Sequence, residues 1–239
     1  MLSEIRIGKF TSSKIHNLMI PQLKNGNQSK ATLTYIEDVA IEKRLGRPLN
    51  STSSARPLIW GNTLEARVAK MIDLEYEYCS DKTIAHPTIP TWVGTPDFLN
   101  EITVADAKCP YTVKSFAKLS DICLASDLNA LKTEFPEYYW QLVSNAILAH
   151  KNRAELIVYC PYLSELEAIK EWISEADDFE DQNKNAWIYF AKNEALPYIL
   201  DGGYYKNINR FSFDVPEEDK IRLTNAVLVS SSLIIKKEN

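Results

Sequence analysis

Val93-Gly94-Thr95-Pro96-Asp97-Phe98-Leu99-Asn100-Glu101-Ile102-Thr103-Val104-Ala105-Asp106-Ala107-Lys108-Cys109-Pro110 reads as a turn, a short strand, a tight connection and a second strand. Pro96 biases Thr95 to extended geometry and fixes how the chain reaches Asp97. With a strand over Val104 to Cys109, Asp106 and Lys108 point to one face and Ala107 to the other. Asn100 and Glu101 sit at the turn between the two strands. Two acids and one ammonium converging on a sheet edge can hold a hard divalent cation and steer a water beside it.

The segments on either side supply candidates for the same site. Leu58 to Ile72 has helical spacing, with Leu64, Val68, Met71 and Ile72 as its core stripe. Glu65 lies at the border of that stripe, either as a solvated acid or as one that reaches a metal. Downstream, Pro136 starts a helix, and Glu137 to Lys151 is strongly periodic. Tyr138, Leu142, Ala146 and Ala149 form one stripe; Gln141, Ser144, Asn145 and Leu148 form an adjoining one. The amide of Gln141 is either a hydrogen-bonded polar group among aromatics or one that orients a water or a phosphate oxygen. At the N-terminus, Ile5 to Phe10 alternates as a short strand, and Thr11-Ser12-Ser13 precedes a helix from Lys14. Those hydroxyls serve as an N-cap, or, with Arg6 and Lys9, as part of an anion site at a helix N-terminus.

The remaining chain fills out an α/β pattern. A polar loop covers Ile20 to Lys30, a helix Thr32 to Leu45 ends at Gly46, and a serine-rich connection runs from Asn50 to Arg56. Tyr76 to Cys79, Thr83 to Ala85 and Thr88 to Val93 read as short strands, with His86 structural or exposed. Phe116 to Leu131 is expected as one helix. Ala154 to Cys160 is the best strand and belongs in the middle of a sheet. Ser164 to Glu175 is an amphipathic helix whose solvated end is the acidic tract 175–181. Trp187 to Phe190 and Asn209 to Phe213 read as strands around a Gly202-Gly203 turn, and Glu217 to Ile235 closes the chain as a helix. No internal repeat is visible, so residues 1–239 are expected to form a single domain.

Composition narrows the class. The 239 residues are 45% hydrophobic and 25% charged, ordinary for a globular protein large enough to bury one sizeable core. No apolar run approaches the roughly 18 residues of a membrane span, and the N-terminus lacks a signal-peptide core. Cys79, Cys109, Cys123 and Cys160 are far apart without a C-x-x-C pair, which argues against zinc or iron–sulfur sites and for reduced thiols in the cytoplasm. Net charge is −5, yet residues 1–70 carry 11 Lys/Arg against 5 Asp/Glu. A basic N-terminal third on an acidic body suits a protein with one face for phosphate.

Pro96-Asp97 followed by Asp106-x-Lys108 resembles the PD-(D/E)XK nuclease superfamily. Five blocks, that motif among them, lie in an order that makes the chain similar to the lambda-exonuclease-like (YqaJ-type) viral recombination nucleases. They are Arg6 to Ser13, Trp60-Gly61-Asn62-Thr63-Leu64-Glu65, Gly94-Thr95-Pro96-Asp97, Asp106 to Pro110, and Tyr139-Trp140-Gln141. The resemblance implies a restriction-endonuclease-like core, a mixed central β-sheet flanked by α-helices. It implies Mg²⁺ as cofactor, with Mn²⁺ as a substitute, held by Asp97, Asp106 and the carbonyl of Ala107, and Glu65 in support. Lys108 would orient or help deprotonate the attacking water, and Gln141 would assist. Arg6, Ser13 and Thr95 would hold a DNA 5′-phosphate. It further implies 5′→3′ degradation of one strand of linear duplex DNA, a ring-shaped trimer, and a single-strand annealing protein as partner. Two positions depart from the family: Asp106 stands where glutamate is usual, and Phe98 replaces the usual glycine. The rival readings are a site-specific or RecB-like endonuclease on the same core, and a non-catalytic DNA-end-binding protein.

Overall fold

The structure, a computed structural model, describes residues 4–24, 26–49, 55–175 and 179–238. Its strands are β1 (Phe10–Thr11), β2 (Glu77–Tyr78), β3 (Ile84–Ala85), β4 (Trp92–Gly94), β5 (Phe98–Leu99), β6 (Thr103–Lys108), β7 (Arg153–Tyr159) and β8 (Ile208–Asp214). The α-helices are α1 (Lys30–Leu45), α2 (Arg56–Met71), α3 (Val113–Ala125), α4 (Leu128–Glu134), α5 (Pro136–Leu148), α6 (Leu166–Ser174), α7 (Phe179–Phe190) and α8 (Glu217–Glu238). A 3₁₀ helix, Ser12–Leu18, follows β1.

Every residue of β7 after Arg153 is buried. A strand buried on both faces needs helices on both, and this one has them. It lies in a five-stranded mixed sheet of order β2-β5-β6-β7-β8, parallel to β6 and antiparallel to β8. On one face, residues of α1, α3, α4, α5 and α8 share a core with Val104 and Leu156. On the other, Trp60, Leu64 and Val68 of α2 and Ile169 of α6 pack with Ala105, Ala107 and Ile157. The mixed, helix-flanked sheet expected from the sequence is therefore present. A second, three-stranded sheet, β1-β4-β3, stands beside it.

The alternation along β6 sets the site. Val104 falls in the first core, and Ala105 and Ala107 in the second. Asp106 and Lys108, in phase with Val104, therefore face α5. At the turn before β6, the Asn100 side-chain oxygen accepts the amides of Ile102 and Thr103 at 3.1 and 2.8 Å. Behind the hairpin, the buried Glu155 accepts from Tyr76 at 2.6 Å, from Arg210 at 2.9 and 3.1 Å and from Ser212 at 2.8 Å. Arg210 also pairs with Glu75, which ties the segment before β2 to the far edge of the sheet.

Several local expectations are corrected. Ile5 to Phe10 is not a strand: Glu4–Arg6 is a 3₁₀ turn and β1 begins at Phe10. Gly8, at φ 65°, breaks the run where a Cβ would stand 2.6 Å from the Cα of Lys43. Thr88 to Thr91 are not extended, because His86 Nδ1 accepts the amides of Thr88 and Ile89 and its ring stacks 5.0 Å from Trp92. Phe116 to Leu131 divides into α3 and α4 at Ser126, which is left-handed at φ 50°, and Asp127 caps the second helix by accepting the Ala130 amide at 2.9 Å. Trp187 to Phe190 is the last turn of α7, with Tyr189 and Phe190 exposed; aromatic β-propensity misleads here. Of the serine-rich connection, residues 50–54 lie outside the described residues, as do 176–178 of the acidic tract.

Candidate active site

The β5–β6 register pairs Phe98 with Ala105, so Asp97 and Asp106 continue it at the open end of the hairpin. Asp97 is fixed there by the Ala107 amide, which donates to its Oδ2 at 2.8 Å. The ammonium of Lys108 donates to Asp106 Oδ2 at 2.8 Å and to Gln141 Oε1 at 3.2 Å, and lies 5.2 Å from the Tyr138 ring centroid. Glu65 arrives from α2 and accepts a hydrogen bond from the Tyr78 hydroxyl at 3.1 Å.

These side chains open onto one cavity of about 570 Å³. Asp97, Glu65, Lys108 and Gln141 form one part of its wall; Arg6, Ser13 and Thr95 form another. Arg6 Nε is buried without a hydrogen-bond partner among the described residues, while Thr95 shares a 3.0 Å hydrogen bond with Thr83. Ser13 reaches Thr11 at 3.4 Å. Two of the residues picked from sequence do not line the cavity. Asp106 is fully buried behind Lys108, and the Ala107 methyl points into the second core.

The electrostatics favour a cation. Burial first, then the charges of Asp106 and Glu65, push the Asp97 carboxyl well above its ordinary range. Burial, and then Asp106, raise Glu65 despite the hydrogen bond from Tyr78. Burial opposes the charged form of Lys108, but Asp106 and Asp97 outweigh it and raise the amine above its usual value. Three carboxylates face one ammonium, an excess of negative charge that a divalent ion would offset, and all the donors are hard oxygens. Among the described residues, no three His, Cys, Asp or Glu side chains are grouped as a ready-made metal cage.

Residues the sequence did not assign also belong to this neighbourhood. Tyr78 lines the cavity, and Asn145, one helical turn beyond Gln141, donates from Nδ2 to Asp106 Oδ1 at 3.3 Å. The i, i+4 spacing of Gln141 and Asn145 was the available signal.

No protein-family model matches the chain, and no curated protein matches its sequence. Solved structures do. An alkaline exonuclease, LHK-Exo, from Laribacter hongkongensis is similar with a TM-score of 0.59 at 14% identity, over 97% of this chain and 90% of that one. The same enzyme in complex with dAMP gives 0.55 at 15% identity, over 98% and 89%. A phage-related exonuclease from Haemophilus somnus 129PT gives 0.58 at 15% identity, over 97% and 96%. The chain has the fold of these exonucleases over nearly its whole length.

Proposed function

We propose that this chain is a Mg²⁺-dependent 5′→3′ exonuclease acting on the ends of duplex DNA. One observation carries the reading: the acid–amine group of the β5–β6 hairpin and the Arg6–Ser13 group share a single cavity. Asp97, Asp106 and the carbonyl of Ala107 would hold Mg²⁺, or Mn²⁺ in its place, with Glu65 reaching it through water. When bound, the ion supplies Lewis acidity at the phosphate.

The protein's own groups divide the remaining work. Lys108, held by Gln141 and Asp106, would orient the attacking water or help take its proton, and its charge would offset that developing on the phosphate. Arg6, with its unpartnered Nε, joins Ser13 and Thr95 in holding a 5′-terminal phosphate. Anchoring the end fixes which bond meets Lys108. LHK-Exo has been solved with dAMP, a mononucleotide of the kind an exonuclease releases. The same reading includes a homo-oligomer, a ring by resemblance, working in the cytoplasm beside a single-strand annealing protein. A ring would let the basic N-terminal third face DNA and the acidic remainder face solvent.

Linear duplexes with 5′-phosphate or 5′-hydroxyl ends, and covalently closed circles, test it in Mg²⁺ and in chelator. Expected are Mg²⁺-dependent release from phosphorylated ends and intact circles. Arg6→Ala should slow the phosphorylated substrate by about 10- to 150-fold, the value of a charge-assisted hydrogen bond, toward the hydroxyl rate. Binding without release would favour an end-binding protein, and cut circles an endonuclease.

A further inference from the structure

We infer that Asn145 is a positioning residue for Asp106, setting the carboxylate that receives the divalent ion; this rests on the nuclease reading. Asn145 is fully buried on α5, and its Nδ2 faces Asp106 Oδ1 at 3.3 Å. Its own Oδ1 is buried with no hydrogen-bond partner among the described residues. The orientation is fixed by chemistry: a flipped amide would set oxygen against the Asp106 oxygen.

A buried amide with one end unsatisfied is a costly choice for a helix face. If packing were the only demand, an apolar residue of similar size would serve better. The chain also makes room for the unsatisfied oxygen. A Cβ on Gly94 would stand 2.6 Å from Asn145 Oδ1, so the amide fits only against a glycine. What the amide gains is one contact, with an acid whose one other donor among the described residues is Lys108, on its other oxygen. Lys108 alone leaves Asp106 free to turn about its χ2 bond. Two donors, one on each oxygen, fix the plane of the carboxylate and with it the lone pairs available to an ion. Groups that orient a metal-binding side chain in this way are worth about 10- to 100-fold in metal affinity.

The neighbouring Ser144 supplies the control. It is equally buried, but its hydroxyl bonds Ser12 at 2.8 Å and Trp92 Nε1 at 2.9 Å, with no acid among these partners. Mn²⁺ binding without DNA would be measured by calorimetry for wild type, Asn145→Ala, Asn145→Thr and Ser144→Ala, with thermal melts to verify folding. Asn145→Thr keeps the volume but ends at its γ atoms, short of the position of Nδ2. The Mn²⁺ Kd should rise about 10- to 100-fold in both Asn145 variants and stay near wild type in Ser144→Ala. DNA cleavage by the Asn145 variants should recover as Mn²⁺ is raised to saturation. Unchanged affinity in a folded Asn145 variant, or an equal loss in Ser144→Ala, overturns the inference alone. A wild type that binds no Mn²⁺ overturns the nuclease reading with it.

Discussion

Lys108→Ala is expected to lower nucleotide release by about 10²- to 10⁴-fold, the usual contribution of a positioned proton donor or acceptor. It should also destabilise the protein in chelator. Lys108 is the cation paired with Asp106, a carboxylate with no exposure at all, at 2.8 Å. Removing one partner of a buried pair costs about 3–5 kcal/mol, because the remaining charge keeps its desolvation penalty. That is a large share of the roughly 5–15 kcal/mol that holds a domain together. The two effects separate by experiment. Urea denaturation in chelator reads the loss of stability, and Mg²⁺ should restore part of that loss by supplying positive charge beside Asp106. Release rates at saturating Mg²⁺ read the loss of catalysis. A folded variant working within a few-fold of wild type would remove Lys108 from the chemistry.

Gly94→Ala should rank with it in stability. Gly94 does not need unusual backbone angles; it needs the absence of a side chain. An added Cβ would stand 2.1 Å from Ser12 Oγ, 2.6 Å from Asn145 Oδ1 and 2.7 Å from Leu148 Cδ1. None of these can retreat freely. Ser12 is bonded to Ser144, which also takes the Trp92 indole, and Asn145 is bonded to Asp106. Overpacking of about 1–3 kcal/mol, with roughly 1 kcal/mol for each buried hydrogen bond displaced, gives a loss of about 2–4 kcal/mol. For a chain of this size the melting temperature should fall by about 5–15 °C. A melt within a degree or two of wild type would show that β4 and α5 can part without cost. Because the same contact borders Ser12 and Asn145, activity should fall along with stability.

Much of this arrangement is legible in the sequence, for identifiable reasons. Ala154 to Cys160 is nearly continuous in apolar residues, a pattern that only a doubly covered strand explains, and β7 sits there. Asp106 and Lys108 share a face because strand side chains alternate, a rule that distant contacts do not override. Glu65, Gln141 and Arg6 come to that hairpin from three separate elements; their residues offered each role only as one of two alternatives, and the resemblance chose between them. Asn145 went unassigned, since a buried asparagine in a helix looks like any polar residue until its neighbours are known. Local errors have local causes. Ser126 takes a left-handed turn that no glycine announces, and Trp187 to Phe190 places strand-favouring rings at a helix end.

Mononucleotide release from 5′-phosphorylated linear duplex DNA, by wild type and Asp97→Asn in Mg²⁺ and in chelator, bears most directly on whether this hairpin breaks phosphodiester bonds. Asp97 is the acid that both lines the cavity and is held by the β6 backbone, so its amide should neither help hold the ion nor support turnover. Steady release by wild type in Mg²⁺, with none in chelator and none from a folded Asp97→Asn, is the expected result. Release that persists in chelator, or Asp97→Asn working at the wild-type rate, would contradict it.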